Sequence, residues 1–260
     1  MTGISVITIC FNNLTDLKKT CISLDTQTTQ PIEHWIINGS TTDDIKNWLL
    51  NSPQPHYRKW INEQDKGIAD AFNKGIELAR GPVTHLLNSG DIYASTDVLH
   101  TVKMFFSNNS KVQWISGNIQ LIRSGKTVIV GKPFDKRKLY RGMRSVSHPA
   151  WFVKKEVYQR IGLYNSEFKI AMDFDLMCRI ANEPYLFLNK LITVFDTSGL
   201  SSIHHLNALK ENKKIYESYF GFSIRALLWQ WRLRSLHYLL QTSFGKWLYG
   251  VKKISGLENW

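Results

Sequence analysis

Four short apolar runs, each followed by a stretch with helical spacing or by a turn, fill the first ninety residues of this 260-residue chain and leave few folds open to it. "ISVITIC" (4–10) is continuous and β-branched, as a central strand covered on both faces must be. "LTDLKKTCISLDTQ" then places Leu14, Leu17, Cys21 and Leu24 on one helical stripe. The alternation recurs as "EHWIIN" with the capped helix "TTDDIKNWLL", "YRKWIN" with "GIADAFNKGIELAR", and finally "VTHLLN". Strands alternating with helices build βαβ units, so an α/β fold with a mostly parallel central sheet flanked by helices is expected. Such sheets bind ligands beyond the carboxyl ends of their strands, so the loops at 11–13, 38–43, 62–67 and 88–92 should converge on one crevice.

From about residue 110 the rhythm changes. "VQWISGNIQLI" and "KTVIVG" flank the turn "RSG" as a hairpin, and a polar stretch (132–148) precedes "AWFV" and another helix. Within that stretch "LYRGMRSVSHP" is basic and irregular, as a mobile loop would be. Beyond residue 200 the chain reads as helical. Lys and Arg exceed Asp and Glu by 33 − 21 = 12, which draws the protein to nucleic acid, anionic lipid or phosphorylated small molecules without choosing among them. Cys10, Cys21 and Cys178 follow no metal-ligand spacing and leave an odd count, as reduced core residues do. "MTGISVITIC" is too short and too lightly charged to read as a signal peptide, and no long apolar run marks a spanning helix.

The fourth run closes on "LLNSGD" (86–91), an apolar strand that stops at a carboxylate. A turn or a helix cap would explain Asp91, although Ser95 or Thr96 is the better cap for a helix beginning near Asp97. Gly90 lets the backbone turn beside a ligand, and Asp91 with its neighbouring hydroxyls suits a hard divalent cation carrying phosphate oxygens. "CFNN" after the first strand offers an aromatic face and amides but not the G-x-G-x-x-G of a dinucleotide-binding unit. "NGSTTD" suits a nucleobase edge or ribose, and equally a plain loop and cap. In "IAMDFDLMCRI", Asp173 and Asp175 open a helix, where the dipole favours acids in any case. Two residues apart, they point in different directions, so at most one faces a crevice.

Taken in order, "ISVITICFNN", "EHWIINGSTTD", "EQDKGIADAFNKGI", "GPVTHLLNSGD", "HPAWFVKKEVYQRIGLYNSEFKIAMDFDLMCRI" and "FDTSGLSS" resemble the family 2 glycosyltransferases of GT-A fold, nucleotide-diphospho-sugar transferases of bacterial polysaccharide gene clusters. The resemblance covers roughly residues 3–203. It implies a catalytic domain over 1–203, with a nucleotide-sugar-binding half (1–110) and an acceptor-side half (111–203), followed by a helical basic and aromatic extension (204–260). It sets Ser89, Gly90 and Asp91 on the family's D-x-D motif, Ser89 replacing the first acid and Asp91 holding the Mn²⁺ or Mg²⁺ that binds the donor diphosphate. Phe11 stands where relatives pack a Tyr on the nucleobase, and Asn38 where many have an Asp bonded to the base. Thr8, Asp65, Lys66, Asp70 and Asn73 fall among the donor-pocket residues. Asp173 matches the catalytic base, with Met172 in place of the Glu that usually precedes it. His148, Pro149 and Trp151 match the acceptor-side segment, where Trp151 either stacks on a sugar or packs in the core and His148 serves either substrate or fold. His204 and His205 read as a phosphate or metal contact, or as a helix start.

The activity so implied is inverting transfer from a nucleotide-diphospho-sugar, foremost a UDP-sugar, to a glycan or polyprenyl-diphosphate-linked acceptor in surface polysaccharide synthesis. The expected location is the cytoplasm, peripheral on the inner face of the plasma membrane where the tail binds it. In "FSIRALLWQWRLRSLHYLL" arginines interrupt the apolar residues, which suits an interfacial helix on an anionic membrane or one packed on the catalytic domain with snorkelling arginines. A nucleotidyltransferase would share the sheet but needs a Gly-rich triphosphate loop, for which "CFNN" is a poor candidate. A non-catalytic sugar-nucleotide or nucleic-acid binding module fits the charge, yet would need neither Asp91 nor Asp173; no nucleic acid partner is expected.

Overall fold

The computed structural model describes residues 3–123, 125–143, 146–196, 205–245 and 247. The expected alternation forms almost residue for residue. β1 (Ile4–Cys10), α1 (Leu14–Asp25), β2 (Glu33–Asn38), α2 (Asp44–Asn51), β3 (Arg58–Asn62), α3 (Ile68–Leu78) and β4 (Val83–Leu86) follow one another in that order. β1 pairs in parallel with β2 and β4, and β2 with β3. Val6 and Ile7 are fully buried, as a strand sandwiched between helices requires, and Leu17, Cys21 and Leu24 supply the inner stripe of α1.

Beyond β4 the sheet turns mixed, which the sequence pattern did not foresee. After β5 (Ile92–Tyr93) and α4 (Val98–Asn108), β6 (Trp114–Arg123) and β7 (Lys126–Val130) form the expected hairpin. β8 (Trp151–Lys154) inserts antiparallel between β4 and β6. α5 (Lys155–Ile161) and α6 (Met172–Ile180) follow, and β9 (Tyr185–Val194) then lies parallel to β6 and antiparallel to β5. The strand order is β3-β2-β1-β4-β8-β6-β9-β5, with β7 on the side of β6. The polar stretch before β8 is not without structure: Lys136–Arg141 and His148–Ala150 are short 3₁₀ turns.

Two long helices, α7 (His205–Phe220) and α8 (Ile224–Leu239), make up most of the described C-terminal residues. α7 shares the core of the preceding elements: its Ile215 is fully buried in the same cluster as Trp114, Phe174 and Leu176. α8 is different in kind. It buries Ala226, Gln230 and Leu233 but exposes Ile224, Leu228 and Trp231. Among the described residues no helix is long and apolar enough to cross a membrane.

Candidate active site

The parallel half delivers its loops to one end of the sheet, and backbone bonds hold them there. Asn12, at φ +53°, donates through its backbone N–H to Ser40 Oγ (2.8 Å), and its side-chain oxygen accepts from Thr41 N (3.0 Å), tying the loop after β1 to the loop after β2. Thr20 of α1 grips the loop after β4: its hydroxyl donates to the Asp91 carbonyl (2.8 Å) and accepts from Gly90 N (3.0 Å). Gly90 has φ +105°, a conformation that a side chain would strain.

Asp91 caps no helix. It is 2% exposed; Oδ1 accepts from the backbone N–H of Asp196 (3.0 Å), and Oδ2 has no partner. Burial, with the nearby Asp196 charge adding to it, pushes its carboxyl up to about 7 against the opposing bond from Asp196 N. Asn88 Oδ1 and Ser89 Oγ are likewise buried and unpartnered. Native interiors rarely leave such atoms orphaned, and three on one four-residue loop are oxygen donors of the kind that a hard cation carrying phosphate oxygens would take. The cap of α4 is neither Ser95 nor Thr96 but Asp97, to which Ser95 Oγ donates (2.6 Å).

Asp173 reaches the same end by a different route. β8 runs antiparallel to β4 with His85 opposite Phe152, so the turn at His148–Ala150 lies beside the loop after β4. Asp173 Oδ1, buried and without a hydrogen bond, lies 3.7 Å from His148 Nε2. Burial raises the Asp173 carboxyl above its ordinary value, and His148 opposes the rise. Asp175 faces the other way: it is 1% exposed, paired with Arg179 (2.7 Å), and accepts from the Tyr219 hydroxyl (2.9 Å).

The other residues singled out by sequence divide into two groups. Phe11, just past β1, is 60% exposed and leaves its aromatic ring open to solvent. Lys66 is exposed, and Asp65 and Asp70 are partly so. Asp65 Oδ1 accepts from Gly67 N (3.0 Å), and Asp70 accepts from Lys66 N (2.9 Å), a bond that, with Lys74 nearby, lowers its carboxyl. A Cβ on Gly39 would overlap the Asp65 carboxylate, so the loops after β2 and β3 touch there.

Thr8, Asn38, His148 and Trp151 are buried and Asn73 is half-buried, and the polar groups of Thr8, Asn38, Asn73 and His148 bond within the protein. His34 Nδ1 accepts from Arg58 Nε (3.0 Å), and burial keeps the ring neutral, so Nε2 donates to Thr8 Oγ1 (2.9 Å), which in turn donates to the Leu87 carbonyl (2.7 Å). Asn38 donates to Asn62 Oδ1 (2.9 Å) and accepts from Ser40 N (3.2 Å). Asn73 clasps the backbone of Tyr164, donating to its carbonyl (2.9 Å) and accepting its N–H (2.8 Å). His148 shares a hydrogen bond with the Tyr164 hydroxyl (2.7 Å) inside a box of Phe72, Trp151 and Tyr164. Trp151 is 3% exposed against Trp114, so its ring packs in the core instead of presenting a face to a sugar. His204 lies outside the described residues.

Two acids escaped the sequence reading. Glu211 of α7 accepts three backbone N–H bonds, from Lys169 (3.1 Å), Ile170 (2.9 Å) and Ala171 (2.8 Å), and so frames the turn that leads into Asp173. Asp196, just past β9, sits against the Asp91 loop. No local spacing announces either, since their partners are 40 to 42 and 105 residues away.

With this geometry in view, comparison with known proteins is decisive at the family level. Residues 5–162 match the model of glycosyl transferase family 2. An uncharacterized glycosyltransferase of Mycobacterium tuberculosis is 34% identical over 205 residues, 76% of this chain and 77% of that protein. A PGL/p-HBAD biosynthesis glycosyltransferase of Mycobacterium bovis is 28% identical over 150 residues, 57% of each chain. Among solved structures, TarS 1-349 of S. aureus in complex with UDP-GlcNAc superposes with a TM-score of 0.64 at 14% identity, over 84% of this chain and 68% of that one. The mannosyltransferase PcManGT of Pyrobaculum calidifontis, in complex with GDP-Man and Mn²⁺, does so with 0.61 at 14%, over 98% and 81%. This chain spans 44% of the longer TarS chain. At such identity the structures establish a shared fold. The chain belongs to glycosyltransferase family 2 and is a glycosyltransferase of GT-A fold.

Proposed function

We propose that this enzyme inverts the anomeric centre of a nucleotide-diphospho-sugar in a single displacement, with Asp173 as general base. The acceptor hydroxyl gives its proton to the Asp173 carboxylate as its oxygen bonds to the anomeric carbon, and the bond from that carbon to the diphosphate breaks with the electron pair leaving on phosphate. A raised carboxyl suits this role, because a more basic carboxylate takes the proton more readily. Asp91, with Ser89 and Asn88 beside it, would hold a divalent cation, Mn²⁺ or Mg²⁺, that supplies positive charge against the leaving diphosphate. Phe11 would carry the nucleobase on its open face.

The single observation behind this reading is that Asp91 Oδ2 and Asp173 Oδ1 are both buried carboxylate oxygens without hydrogen-bond partners, at one end of one sheet. TarS holds UDP-GlcNAc and PcManGT holds GDP-Man and Mn²⁺, which supports a nucleotide-sugar donor here and makes a UDP-sugar the first to try. The acceptor is a glycan or a polyprenyl-diphosphate-linked oligosaccharide of surface polysaccharide synthesis, met at a membrane. Supporting the membrane are a net charge of +12 and the exposed Ile224, Leu228 and Trp231 beside Arg225 and Arg232 on α8. Thermal melting with nucleoside diphosphates, with and without Mn²⁺ or Mg²⁺, tests the donor half. Stabilisation by a diphosphate only with metal is expected; stabilisation by an oligonucleotide alone would overturn it.

A further inference from the structure

The stretch of α7 that carries Glu211 also lines a cleft of about 480 Å³ against α8. Its wall is Lys210, Lys213, Lys214, Glu217 and Ser218, spaced i, i+3, i+4, i+7 and i+8 along one face of α7, joined by Arg234 of α8. Four cations therefore share one cleft with one acid. Glu217 bonds to Lys213 (2.6 Å), and Lys214 stands 5.5 Å over the Phe168 ring, a contact that leaves its charge in place. No other carboxylate lines the cleft among the described residues. Cations crowded together repel one another, and an anion with several oxygens offsets that repulsion best.

A second observation, on α8, selects the kind of anion. Leu227, Trp231 and Tyr238 stand at i−7, i−3 and i+4 from Arg234, on the helix face that carries it, and are 45%, 69% and 58% exposed. A free phosphate in the cleft would make no use of them. A lipid would, with its phosphate among the cations, its chains along the apolar stripe, and Trp and Tyr at the depth they favour in membranes.

We propose that the cleft between α7 and α8 binds the phosphate of an anionic membrane lipid, held by Lys210, Lys214 and Arg234, while Leu227, Trp231 and Tyr238 rest in the headgroup region. The proposal rests on the membrane reading of α8 above and names the group that the protein grips there. It also orients the enzyme. Lys210 and Lys214 flank Glu211, and Phe168 precedes the turn that Glu211 frames, so the lipid cleft and the turn before Asp173 lie on one stretch of α7. A phosphate bound there holds the acceptor end toward the membrane.

The test is sedimentation of the full chain with vesicles of phosphatidylcholine alone, of phosphatidylcholine with about a quarter phosphatidylglycerol, and of phosphatidylcholine with a carboxylate lipid matched in surface potential. Wild type is expected to bind the phosphatidylglycerol vesicles several-fold more tightly than the carboxylate ones. Lys210→Gln with Arg234→Gln should weaken that binding at least about tenfold more than Arg225→Gln with Arg232→Gln, which removes as many charges from α8 outside the cleft. Melting without vesicles confirms that each variant is folded. If wild type binds both anionic vesicles equally, or the two variant pairs weaken binding equally, the cleft is not a phosphate site and the membrane reading stands. If wild type binds neither anionic vesicle better than phosphatidylcholine, both readings fall. If inorganic phosphate raises the melting temperature of wild type but not of the cleft pair while no vesicle is bound, the site takes a soluble anion and the lipid assignment is overturned.

Discussion

Replacing Glu211 by Ala should disable the enzyme from more than one turn of helix away. Its carboxylate accepts from three consecutive backbone N–H groups, those of Lys169, Ile170 and Ala171, in the turn that opens α6. Hydrogen bonds to a charged acceptor contribute about 1.5–3 kcal/mol each, but Glu211 is only partly buried and water replaces much of what is lost. Loss of an N-cap acceptor, the nearest analogue, costs about 0.5–2 kcal/mol, so a net loss of about 2 kcal/mol is expected. Urea unfolding should show it as a lowered midpoint at unchanged slope. Catalysis should suffer more than stability, because Asp173 follows two residues after Ala171 and small displacements of a general base cost orders of magnitude. We expect kcat to fall at least about tenfold with the donor KM within about twofold, since the bonds that Glu211 makes to Lys169, Ile170 and Ala171 all lie in the turn before α6. Glu211→Gln, which keeps one good acceptor, should fall between. An Ala variant with wild-type kcat, or one whose loss lies wholly in donor KM, would refute the idea that α7 frames the base.

Three further outcomes follow from other parts of the structure. The transfer rate should fall with acidity through a pKa above the ordinary carboxylate range, because burial raises Asp173 and its base form is lost on protonation; by linkage, the protein should gain stability as pH falls through the same range, seen in urea midpoints against pH. Thr8→Val should destabilise by about 1–3 kcal/mol by stranding His34 Nε2–H and the Leu87 carbonyl, with donor KM unchanged, whereas a raised KM would return Thr8 to the donor pocket. Changing Leu228 and Trp231 to Ser should release the protein from anionic vesicles in sedimentation without altering turnover of a soluble acceptor, and equal sedimentation would remove the membrane role of α8.

The parallel half was legible because a strand buried on both faces must be apolar throughout, and "ISVITIC" has no other economical use. The site loops came with it, since they follow from strand polarity. β9 was not legible: "YLFLNKLITV" mixes exposed and buried positions and pairs with β6, whose sequence is far away. Asp91 drew attention because Ser95 and Thr96 looked the better caps for the helix after it; the structure caps that helix with Asp97 instead and leaves Asp91 Oδ2 buried without a partner. The partners of Asn73 and Thr8 were hidden for the opposite reason, their polar groups being used by Tyr164 and Leu87, 91 and 79 residues distant. A motif position shows which side chain is present, but only the packed structure shows where its hydrogen bonds go. Glu211 and Asp196 illustrate the same limit from the other side, as long-range hydrogen bonds without a local signature.

The central claim is that Asp173 removes the acceptor proton, and Asp173→Asn tests it most directly. The variant should melt at least as high as wild type at neutral pH, because it removes a carboxyl whose charge burial disfavours, and should bind the nucleotide-sugar donor with wild-type affinity by calorimetry. Its rate of sugar transfer should fall by about two to four orders of magnitude. A folded Asp173→Asn protein that binds donor and transfers sugar at the wild-type rate would contradict the account.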